Sequence, residues 1–174
     1  MAVLTRCRTP LLAVTWLCLL ASGSGIAAEL TVQAGQSIAA AIAQASPGDV
    51  IRVKKGYYQE QLVIDKPLTL KGIDRPTLSG GFKGDTIRIT AEDVVVDGLI
   101  VRDSGDELID QNAGIFIKPG AHRAAVRNCD LTYNLFGIYI QSVKHVEIRN
   151  NVITGKRDYR SPRRGNGIQL YNTE

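Results

Sequence analysis

Cysteine, methionine and histidine are scarce in this chain of 174 residues: three, one and two respectively. Cys7 and Cys18 lie near the N-terminus, so Cys129 stands alone in the rest of the chain and no internal disulfide framework can form there. The only methionine is Met1, which leaves no thioether for a soft copper(I) site in the body of the protein. Aromatic residues make up 6%, against 17 glycines, a balance that suits short strands and frequent turns better than long helices. Long apolar runs are missing as well. The clearest, residues 11–21, is too short to span a bilayer. No glycine-rich phosphate loop, serine nucleophile motif or paired-cysteine metal motif is found.

That short apolar run has a context. Arg6 and Arg8 precede it without an acid, and small residues follow, Ser22-Gly-Ser-Gly-Ile-Ala-Ala28. This is the three-part layout of a secretory signal peptide, so residues 1–28 are expected to be a leader cleaved near Ala28, and residues 29–174 one exported domain. Cys18 follows Leu17 rather than a small residue, which speaks against a lipid anchor. Of the 21 Lys and Arg, Arg6 and Arg8 lie in the leader; the other 19 face 17 acidic residues, a net charge of +2. So small an excess, on an exported chain, gives no reason to expect nucleic acid as a partner.

What is present is a repeat. Ser37 can N-cap a helix over 38–45, with Ile38, Ala41, Ile42 and Ala45 on one face, and Ser46-Pro-Gly-Asp49 ends it. From there the apolar period is two. Strands are expected at 50–53, 62–64, 68–70, 86–89, 94–96 and 99–101. Gly114-Ile-Phe-Ile117 recurs as Gly137-Ile-Tyr-Ile140 and as Gly167-Ile-Gln-Leu170, and Val126-Arg-Asn-Cys-Asp-Leu131 recurs as Ile148-Arg-Asn-Asn-Val-Ile153, with Val96-Asp-Gly-Leu-Ile-Val101 as an earlier copy.

A period of 22–23 residues holding about three short strands describes one coil of a right-handed parallel β-helix, an all-β solenoid. Val126, Leu131, Ile148 and Ile153 should point inward, and Arg127, Asp130, Arg149 and Val152 outward. The short helix would cap the N-terminal end of the stack. The sequence stops one strand into a new coil, so further coils are expected beyond Glu174.

Four places could carry chemistry. The last repeat is lengthened by a loop, Lys156-Arg-Asp-Tyr-Arg-Ser-Pro-Arg-Arg164, whose Lys156, Arg157, Arg160, Arg163 and Arg164 could clamp an acidic sugar, a phosphate or an acidic partner protein; the bland alternative is a solvated loop. His122 and His145 lie one coil apart and could offer two imidazoles to copper or zinc, or be exposed turn histidines. Cys129, at an inward turn position shared with Leu99 and Asn151, reads as a small buried filler. Asp103, Asp106, Glu107 and Asp110 cluster near one turn, either as acid, base or calcium ligands or as a plain polar loop.

Ser46-Pro-Gly-Asp49, Gly56-Tyr-Tyr58, Lys66-Pro-Leu-Thr-Leu-Lys-Gly72 and the repeats resemble the carbohydrate-binding and sugar-hydrolase group of β-helix proteins. Within it, the segment 155–171, with its inserted loop and Arg164-Gly-Asn-Gly-Ile168, resembles the NosD family. That resemblance implies a periplasmic accessory protein without catalytic activity of its own. Such a protein helps assemble the copper–sulfur centre of nitrous-oxide reductase, handles copper, and works with an ABC transporter permease and ATPase and a copper chaperone. Members of the family often carry His where this chain has Gln169, and generally run longer. The rival expectation is a polysaccharide-binding or polysaccharide-processing β-helix of the lyase or epimerase type; a third is an adhesin-like solenoid.

Overall fold

A computed structural model describes residues 27–158, 160 and 164–173. The expected leader, apart from its last two residues, and Arg163 lie outside the described residues.

Among the described residues, sixteen short strands and one helix wind into a solenoid of three parallel sheets. The first sheet stacks β1 (Glu29–Val32), β2 (Val50–Val53), β5 (Thr69–Gly72), β8 (Val95–Asp97), β11 (Ala125–Arg127) and β14 (Glu147–Arg149). The second stacks β3 (Tyr57–Gln59), β6 (Thr77–Ser79), β9 (Ile100–Arg102), β12 (Asp130–Asn134) and β15 (Val152–Gly155). The third stacks β4 (Leu62–Ile64), β7 (Ile87–Ile89), β10 (Ala113–Ile117), β13 (Phe136–Gln141) and β16 (Ile168–Tyr171). From β2 onward every coil visits the sheets in the same order.

Register explains the repeat. Side chains alternate in and out along a strand, and the next coil lies about 4.8 Å above, so each inward residue rests on its counterpart one coil away. Leu30, Ile51, Leu70, Val96, Val126 and Ile148 form one such column, and Tyr58, Leu78, Val101, Leu131 and Ile153 a second. Ile87, Ile115, Ile138 and Ile168 form a third. Between the ends of the stack these side chains are buried, and burying one fully is worth about 1.5–3 kcal/mol. The expected inward and outward positions of β11, β12, β14 and β15 are the observed ones. The aligned repeats pair in the ladders.

The repeated glycine also has a steric cause. A Cβ on Gly137 would lie 2.4 Å from the Gly167 carbonyl oxygen and 2.4 Å from Ile153 Cγ2; one on Gly114 would lie 2.7 Å from Asn134 Nδ2. Only glycine lets these backbones approach so closely.

The helix, α1 (Ile38–Gln44), covers the N-terminal end of the stack, with Ile38 and Ile42 buried on the first strands. Ser37 accepts a hydrogen bond from the Ala40 N–H, as expected of an N-cap. The Glu60 carboxylate accepts from the N–H groups of Ile38 and Ala39 at 2.9 and 3.1 Å, and the Lys66 ammonium donates to the Ile42 and Ala45 carbonyls at 3.1 and 3.2 Å. The orphan groups at both helix ends are thus satisfied by side chains of the coil beneath.

Three strands lie outside the expected set: β1, which precedes the helix and pairs with β2, and the short β3 and β6. The latter two are three-residue strands whose inward residue, Tyr58 or Leu78, is flanked by polar neighbours, so their period of two is too short to stand out.

Candidate docking site at one corner of the solenoid

The corner between the second and third sheets carries the insertions. Two of its five turns are tight: two residues separate β3 from β4, and Leu135 alone separates β12 from β13. The other three are loops, 80–86, 103–112 and the segment that begins at Lys156 and leads to β16. The basic segment and the acidic cluster, 50 residues apart in sequence, therefore share one edge of the molecule.

The described residues of these loops are held by specific contacts. The Gly105 N–H donates to the Gly84 carbonyl at 2.8 Å and the Phe82 N–H to the Asp103 carbonyl at 2.8 Å, lacing the first loop to the second. Asn134, buried at the tight corner, donates to the Val101 carbonyl at 2.9 Å and accepts from the Ser104 N–H at 3.1 Å. The Ser104 hydroxyl accepts from the Leu135 N–H at 2.9 Å. Phe82 meets Tyr133 edge to face, with ring centroids 6.1 Å apart. The Tyr133 hydroxyl donates to the Asp158 carboxylate.

Lys156 lies inside this network. Its side chain is buried, and its ammonium donates to the Ser104 carbonyl at 2.9 Å and contacts the Gly105 carbonyl at 3.3 Å, near the rings of Phe82 and Tyr133. Burial lowers its pKa, while the charges of Asp106 and Asp103 raise it. Asp103 is buried too: Oδ2 accepts from the Ser79 hydroxyl at 2.8 Å and meets Arg102 Nε at 2.9 Å, whereas Oδ1 has no hydrogen-bond donor among the described residues. The electrostatic pull of Lys156 offsets part of that deficit. Arg157, Arg160 and Arg164 are exposed, with Arg164 donating to the Arg157 carbonyl at 2.6 Å. A partner would thus meet this loop through its arginines, with Lys156 holding it in place. Asp106, Glu107 and Asp110 are exposed on the neighbouring loop, so the face carries both signs of charge.

The histidines lie at the corner between the third sheet and the first. Asp93, Arg123 and His145, all with φ near +57°, stack in one column of left-handed turn residues. Arg123 forks onto Asp93 at 2.7 Å and reaches Glu92 at 2.7 Å. His122 is in register with Lys144, whose N–H donates to His122 Nδ1 at 3.2 Å. The two imidazoles therefore occupy adjacent coils one position apart, and one ring nitrogen of His122 is already engaged. Among the described residues there is no group of three or more His, Cys, Asp or Glu that could hold a metal ion.

Cys129 is buried. Its N–H donates to Asn151 Oδ1 at 2.9 Å, one coil above, and Asn151 returns a hydrogen bond to the Val126 carbonyl at 2.8 Å. Burial pushes the thiol pKa up to about 11, so the nucleophilic thiolate is rare at neutral pH. Native protein should resist alkylation by iodoacetamide at pH 8 and react fully once unfolded. Because the folded pKa lies above the unfolded value, the unfolded chain releases its proton first, and stability falls as pH rises from about 9 to about 11. Burial shifts Tyr58 and Tyr139 in the same direction, so Cys129→Ala should flatten that decline without abolishing it in pH-dependent denaturant titrations.

A continuous stack of short parallel coils, with insertions gathered at one corner, defines the class. The pattern described as "Right handed beta helix region" matches residues 73–174, and the chain belongs to that family. Within it the chain is NosD-like. It is 32% identical over 120 residues to the "Probable ABC transporter binding protein NosD" of Stutzerimonas stutzeri, a match covering 69% of this chain and 28% of that protein. It is 34% identical over 116 residues to the protein of the same name from Pseudomonas aeruginosa, covering 67% and 27%. The match thus spans little more than a quarter of the length of these relatives. No helix among the described residues is long and apolar enough to cross a membrane.

Proposed function

We propose that this protein is an exported, non-catalytic accessory factor of the NosD type that docks onto nitrous-oxide reductase during assembly of the reductase's copper–sulfur centre, in concert with an ABC transporter and a copper chaperone. One observation carries this reading: at one corner of the solenoid the described residues of three loops are tied to one another and present a face of mixed charge, in a chain similar to proteins named for binding an ABC transporter. Copper enters as cargo for the partner's centre. His122 and His145 are the residues proposed to touch it in transit; two imidazoles in adjacent columns suit brief contact better than a resident site.

The polysaccharide alternative fits the same face less well. An acidic polymer drawn to Arg157, Arg160 and Arg164 would also meet Asp106, Glu107, Asp110 and Asp158.

The test is the visible spectrum of nitrous-oxide reductase purified from a host lacking this gene. Electron-transfer copper bands should persist while those of the copper–sulfur centre are missing. A fully loaded, active reductase would overturn the maturation role.

A further inference from the structure

Loop 103–112 ends in an exposed apolar pair. Ile109 is 92% exposed and Leu108 42%. Single apolar residues on a surface are ordinary, but this pair sits at the tip of a turn whose backbone is held in place. The Gln111 N–H donates to the Leu108 carbonyl at 3.2 Å and the Asn112 N–H to the Glu107 carbonyl at 3.3 Å, while buried Asn112 accepts from the Glu107 N–H at 3.2 Å. At its base the loop is tied to Gly84 and, through Ser104 and Gly105, to Lys156. On the adjoining loop Phe82 is 59% exposed. A fixed turn that displays isoleucine loses little entropy when that side chain is buried by a partner.

The charges around the tip narrow the partner's chemistry. Asp106, Glu107 and Asp110 flank Leu108 and Ile109 in sequence and are exposed. Such a rim is repelled by an anionic lipid surface and by an acidic polysaccharide. The exposed arginines of the neighbouring loop add the opposite sign alongside. An occupant matching all three features has an apolar pocket with basic groups on one side and acidic groups on the other, which is a folded protein surface.

We infer that Leu108 and Ile109 are the hydrophobic anchor of this corner, inserted into an apolar pocket of a protein partner whose rim is basic where it faces loop 103–112 and acidic where it faces Arg157, Arg160 and Arg164. The inference rests on the docking reading above and names the reductase as that protein.

The experiment measures binding of the full-length protein to purified copper-free nitrous-oxide reductase from the same host, by biolayer interferometry. Ile109→Glu should weaken binding roughly tenfold or more, as loss of a central apolar anchor does, and Ile109→Ala by a smaller factor. Circular dichroism and the unfolding midpoint should match the parent, since the side chain packs on little of its own fold. Equal affinity of Ile109→Glu and parent would overturn the anchor while leaving the docking role intact. No binding by the parent would overturn the anchor as assigned to this partner, and the reductase spectrum would still judge the maturation role separately. Ile109-dependent cosedimentation with phosphatidylglycerol vesicles would overturn it in favour of lipid.

Discussion

Gly137→Ala should cost about 3 kcal/mol of folding stability, read as a lower denaturant midpoint at unchanged slope. The added Cβ would meet the Gly167 carbonyl oxygen and Ile153 Cγ2, each at 2.4 Å, and neither can withdraw easily. The carbonyl belongs to the coil above, where the Ile138 N–H donates to it at 3.0 Å. Ile153 belongs to the inward column of the second sheet. Relieving the clash means separating two coils or losing a ladder hydrogen bond. Gly155 provides the matched control. It also lies in a strand, but a Cβ there has nothing within 4 Å, so Gly155→Ala should shift stability by less than about 1 kcal/mol, in the stabilising direction, by restricting the unfolded chain. Equal effects at the two positions would show that the repeated glycine is not there for close approach.

Lys156→Met should cost about 1.5–3 kcal/mol and free the loop that follows β15. Methionine keeps the length of the side chain but leaves the Ser104 carbonyl without its donor and removes the charge that offsets buried Asp103. Two readouts separate this from a general loss of packing. Limited trypsin digestion should cut at Arg157 and Arg160 sooner than in the parent, before global unfolding. The pH response should also change. Burial lowers the pKa of Lys156, so the unfolded chain holds that proton more tightly, and through this residue stability rises with pH just below 10.5, opposite in sign to Cys129. The variant loses that rise.

The stacking order was legible in the sequence because every coil poses the same problem. A residue such as Val126 must fill the gap between Val96 and Ile148, and glycine must recur wherever backbones come closest, so the ladder registers could be aligned from residue types alone. The short strands β3 and β6 carry one inward residue each and left no such trace. The candidate corner was half legible. An insertion that breaks a strict repeat marks a loop, but which other loops share its corner depends on assigning each strand to a sheet. The network at that corner could not be read at all. Lys156 sits in a run of basic residues, and Asp103 in a run of acids, with nothing local to mark them as the two buried members. Lys156 is buried through a contact with a residue more than 50 positions away, and Asp103 accepts from Ser79 in the preceding coil.

The tight turn at Leu135 sets a scale for the proposed docking face. Loops at this corner can emerge only at whole multiples of the coil rise, about 4.8 Å, because in-register hydrogen bonding admits no fractional step. Loop 103–112 and the segment after Lys156 leave the stack two rises apart, with the plain corner at Leu135 between them. Lys156 ties the two together through the Ser104 and Gly105 carbonyls. The interval between acidic and basic halves is therefore quantised. Point substitutions can retune either loop, but only gain or loss of an entire coil can change their separation, and with it the size of surface they fit.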